Sequence, residues 1–134
     1  MLLGGLLAGV IVNASGMALV RFVLGPEYVE NFLRVFPSEP RGLVMLVHVG
    51  TRLWFGMLAV FLYAAFRPRF GPGPRTALIA AATVWLSAYL VATTTLIELK
   101  LLTGLGLWIT IPWTLAEICT ATVLGASIYR EQAT

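Results

Sequence analysis

"FRPRFGPGPR", Phe66 to Arg75, sets three arginines, three prolines and two glycines between two long apolar runs. A residue that precedes proline is pushed away from the helical region, and glycine accepts backbone conformations that other residues avoid. The apolar runs on either side therefore cannot fuse into one long helix. They read as two separate spans joined by a charged turn.

Working outward from that turn, four windows are long enough to cross a hydrocarbon core of ~30 Å at ~1.5 Å per residue. They are 2–24, 43–66, 76–97 and 107–129. Composition agrees: of 134 residues, 59% are hydrophobic and 11% charged, and mean hydropathy is +0.90. A typical soluble domain carries about 25% charged residues. The fold expected is an all-α membrane protein of one domain, residues 1–134, built as an antiparallel up-down bundle of four helices, because a backbone in lipid must satisfy its own hydrogen bonds. The first window lacks both a basic leader and a small-x-small site, so it is expected to be a retained span rather than a cleaved signal.

Between spans one and two, residues 26–36 form an amphipathic stretch. Pro26 suits a first helical position, Glu27 suits a helix start, and Pro37 stops the run. Tyr28, Phe32, Val35 and Phe36 fall on or beside one face. A short helix on the membrane surface is expected there, with an ordinary helix capping the bundle end as the alternative.

Nine basic against six acidic residues give a formal charge of +3, too small and scattered an excess for a nucleic-acid surface. It serves as an orientation signal. Basic residues flanking spans prefer the cytoplasmic side, and Arg67, Arg69 and Arg75 share one loop without an acid, with Arg130 on the same side. Arg34, Arg41 and Lys100 on the opposite side are interleaved with Glu27, Glu30, Glu39 and Glu98. Both termini and the arginine loop are thus expected inside, with Arg67 and Arg69 available to anionic lipid headgroups. Tyr63, Phe66, Phe70 and Tyr129 fit the inner interface, and Trp108 and Tyr28 the outer one. Trp54 and Trp85 fall well inside their spans, where an indole N–H seeks a partner, so both are expected to face protein.

Ionisable residues inside a span are costly and usually face a partner in the bundle interior. Counted inward from Leu43 and Leu107, Arg52 and Glu117 lie at the same depth of ~14–15 Å. They can meet if spans two and four are neighbours. Asn13 lies at the same level in span one, and His48 is one turn from Arg52 on one face of span two. Asn13, His48, Arg52 and Glu117 thus form a candidate polar cluster. Its structural reading is an ion pair with hydrogen bonds that fix helix packing; its functional readings are proton carriage or substrate binding.

His48 is also a candidate axial ligand to haem or chlorophyll. A second histidine is lacking, which excludes a bis-histidine haem within one chain, and a hydrogen-bonded core histidine is the leading reading. No cofactor is expected. Cys119 is the single cysteine, so neither an intrachain disulfide nor a cysteine metal site arises. Gly5 to Gly9 match a G-x-x-x-G packing motif, and Ala121 to Gly125 a small-x-x-x-small one. No Walker-type loop, histidine pair for zinc or nucleophile elbow occurs.

The segment "LYAAFRPRFGPGPRTAL", Leu62 to Leu78, resembles the loop of a group of small four-helix bacterial inner-membrane proteins that carry an RPRFGPGP(K/R)TA pattern. That resemblance implies a bacterial inner-membrane location and assigns no activity, so no functional residue is carried over from it. Residues and resemblance together lead to a non-enzymatic membrane protein, an accessory or structural subunit whose partners are the bilayer and other membrane subunits or copies of itself. The alternatives are a pigment or haem carrier using His48, and a small transporter or proton-linked protein using Arg52 and Glu117.

Overall fold

The computed structural model describes residues 1–26, 28, 30, 34, 41–99 and 105–129. Four helices in it are long and apolar enough to cross a membrane, and no strand occurs among the described residues. We label them α1 (Leu2–Leu24), α2 (Arg41–Phe70), α3 (Pro74–Glu98) and α4 (Leu105–Ser127). All four expected spans are present, with ends displaced by a few residues. The expected surface helix over 26–36 falls largely outside the described residues.

The second helix runs past its expected end at Phe66, through Pro68, to Phe70. Proline removes one backbone donor and crowds the turn before it, yet Pro68 lies inside α2, two residues before its end. The chain is turned by the glycines instead, since Gly71 and Gly73 have φ of 80° and 129°, where a side chain would be strained. Two side chains tie this turn down. The Thr76 hydroxyl donates to the Gly71 carbonyl at 2.6 Å, and the Gly73 N–H donates to the Tyr63 hydroxyl at 3.4 Å. Pro74 then opens α3 at its first turn, where the missing N–H costs nothing.

Small residues govern how the helices meet. The first helix packs on α2 and α4, and α2 and α4 both pack on α3. Gly9 of α1 and Gly56 of α2 bring two backbones together: a Cβ placed on Gly56 would collide with the Gly9 nitrogen and Cα and with Ala8. Gly4 and Gly125 do the same for α1 and α4. Both small-residue motifs are therefore used at contacts. Around them lies a core of Ala8, Val12, Ala59, Val60, Ala81, Val84, Ile118 and Ala121. A second cluster of Tyr63, Ala77, Ala80 and Ala126 sits toward the loop.

The Gly9–Gly56 contact also sets the rotation of α2 and overturns one expectation. Trp54 is two residues from Gly56, about 200° around the helix, so it points away from the bundle. It is 58% exposed, as is Phe61, one heptad on, at 50%. The other mid-span tryptophan, Trp85, does face protein, and its Nε1–H donates to the Thr114 hydroxyl at 3.1 Å.

Candidate intramembrane site

Arg52 and Glu117 meet. One guanidinium nitrogen, Nη2, donates both to Glu117 Oε1 and to the Val12 carbonyl, each at 2.5 Å. A single side chain of α2 thus ties α1 and α4 together. The Arg52 and Glu117 side chains are 15% and 3% exposed, so the pair is largely removed from its surroundings. Charge-assisted bonds of this kind are about twice as strong as neutral ones, and burial strengthens them because little solvent is present to screen them.

Space for the guanidinium is made by Gly16, where an added Cβ would run into the Arg52 head. Gly16 follows Val12 by one helical turn on the same face of α1, so carbonyl and gap are presented side by side. On the far side of Glu117, Ser15 lies near the carboxylate and accepts the Trp113 indole N–H at 3.0 Å. Some hydrogen-bonding capacity remains unused. Arg52 Nε and Glu117 Oε2 are buried without a well-formed hydrogen bond among the described residues.

Of the four residues expected to cluster, Asn13 stands apart. Its amide donates to the Gly9 carbonyl at 3.0 Å and to the Val49 carbonyl of α2 at 3.3 Å. It is a second polar link between α1 and α2, one turn from the ion pair. His48 lies with Arg52 on the wall of a cavity of about 590 Å³ to which all four helices contribute. The cavity forms where the first half of α2, with Val47, His48 and Thr51 exposed, stands away from α3 and α4.

Two further residues belong to this wall: Trp85, expected only to face protein, and Tyr89, which the sequence did not single out. Trp85 and Tyr89 stack at a centroid distance of 6.2 Å and an interplanar angle of 21°, and both lie in a π-helical stretch of α3, Trp85–Leu90. A π-helical turn widens the helix locally and often marks a functional position. The i, i+4 spacing of two aromatics was the available signal; the local widening had none. Among the described residues, no three histidine, cysteine or acidic side chains come together as a metal site would require.

The arginine loop is built differently from the buried site. Arg67 lies over the rings of Tyr63 and Tyr129, at 5.9 and 5.3 Å from their centroids, and those two rings meet edge to face at 6.1 Å. Such cation–π contacts hold a guanidinium against the bundle end. Arg69 lies 6.0 Å from the Phe70 ring centroid, and Arg69 and Arg75 are exposed.

No protein-family model matches the chain, and no curated protein and no solved structure matches it significantly.

Proposed function

We propose that this chain is a non-enzymatic integral membrane protein, an accessory or structural subunit that acts as a homo-oligomer or within a larger membrane complex. The observation that carries this reading is the use of Arg52. Its Nη2 spans three helices through Val12 and Glu117, so the two charges with the most chemical promise are engaged in packing. An up-down antiparallel arrangement is supported by the order of contacts: Gly5, Gly9 and Gly16 of α1 face Met57, Leu53 and Arg52 of α2 in reverse sequence. A surface helix over 26–36 completes the opposite end of this picture.

Native mass analysis after gentle extraction tests the subunit role. A higher oligomer or a co-purifying membrane partner is the expected result, and a strictly monomeric species without a partner would contradict it.

The location proposed is the bacterial inner membrane, with both termini and the arginine loop cytoplasmic. The loop pattern and the positive-inside rule support it. Replacing Arg67, Arg69 and Arg75 together with glutamine is expected to weaken or invert the orientation read by reporter fusions at the loop. An unchanged orientation would refute the loop's part in setting topology.

A further inference from the structure

The cavity beside the ion pair is left unexplained by a packing role, and it has the attributes of a ligand site. We propose that it binds a neutral, lipid-soluble ring compound bearing carbonyl oxygens, a quinone by chemical class. Its volume of about 590 Å³ falls within the ~300–1,000 Å³ of small-molecule sites, which are mostly apolar with a few convergent polar groups.

Four features specify the ligand. Most of the wall is hydrocarbon, from residues such as Val44, Val84 and Ile118, which favours a lipophilic guest. The polar part bears donors: Arg52, whose guanidinium carries five N–H groups, lies on one wall of the cavity with His48. Such donors suit carbonyl oxygens.

The charges of Arg52 and Glu117 offset each other, so a neutral guest leaves the pair intact, whereas an anion would compete with Glu117 for the guanidinium. Finally, the stacked Trp85 and Tyr89 and the nearby Phe55 line the same space, and aromatic rings prefer offset-stacked or edge-to-face partners.

The test is a titration of the full chain in phospholipid nanodiscs with decylubiquinone, followed by tryptophan fluorescence, which quinones quench on contact. The chain has four tryptophans. Trp85 lines the cavity, while Trp54 and Trp108 are exposed and report quinone merely dissolved in the lipid. Saturable quenching is expected in the wild type and in Trp54→Phe, and it should be absent in Trp85→Phe.

Thr51→Phe, which narrows the cavity from its exposed side, should weaken the apparent affinity about tenfold or more. Val47→Phe, one turn away, replaces it if that variant does not fold. Quenching that rises linearly, or that is the same in Trp85→Phe, would overturn the proposal. So would displacement of the quinone by an equal concentration of oleate, because the cavity would then be a general acyl-chain pocket.

Discussion

Gly56→Leu is expected to prevent α1 and α2 from packing and to leave the protein unfolded or aggregated on extraction. Overpacking a core typically costs about 1–3 kcal/mol when side chains can yield. Here the atoms in the way are backbone, the Gly9 nitrogen and Cα and the Ala8 carbonyl carbon, and they cannot rotate aside. The loss should therefore reach or exceed the top of that range. Separation of these helices would also remove the Val12 carbonyl from Arg52 and the Val49 carbonyl from Asn13.

Gly42→Ala and Gly50→Ala are the matched controls, since an added Cβ at either position meets open space. They should be neutral or, by helix propensity, stabilising by up to about 1 kcal/mol. Monodispersity on size exclusion and resistance to thermal unfolding in detergent read both outcomes. Gly56→Leu behaving like Gly50→Ala would mean that the α1–α2 contact does not hold the fold.

The second large effect is expected from Glu117→Leu. Removal of the carboxylate leaves the Arg52 guanidinium, with its 15% exposed side chain, bonded only to a neutral carbonyl. Breaking a buried pair on one side typically costs about 3–5 kcal/mol, and an intramembrane setting offers the orphaned charge little water.

Arg52→Met should be similarly damaging, because it strands a carboxylate that is more deeply buried than its partner and removes the link to Val12. The paired replacement Arg52→Met with Glu117→Leu should recover much of the loss, since apolar residues of similar size can replace a buried ion pair at little cost. Unfolding followed by circular dichroism in bicelles measures all three.

Much of this architecture was legible because the physics of a span is one-dimensional. Hydrophobic length alone places four helices, and the depth of Arg52 and Glu117 follows from counting residues at a fixed rise, so their meeting could be anticipated. Gly5 and Gly9 announced a close helix contact in the same way.

What stayed illegible depends on rotation and on local irregularity. Trp54 was expected to face protein because of its depth, but its direction is set by Gly56, and no feature of α2 alone says which glycine meets a neighbour. Pro68 suggested an earlier end to α2 than the helix takes, since the helix continues through it to Phe70. The cavity arises from α2 standing away from α3 and α4, a three-dimensional property without a sequence period. Asn13 bonds to the Gly9 and Val49 carbonyls rather than to the charged pair itself, a choice of partner that counting along a span does not reveal.

The claim on which the rest depends is that Arg52 and Glu117 act together as the bolt between α2 and α4. A double-mutant cycle on reversible unfolding in bicelles, using wild type, Arg52→Met, Glu117→Leu and the pair, measures it directly. The predicted result is strong coupling, with the double variant losing at least about 1 kcal/mol less than the sum of the two single losses, within the range found for groups in contact. Losses that add to within about 0.3–0.5 kcal/mol, as they do for distant and independent sites, would contradict it.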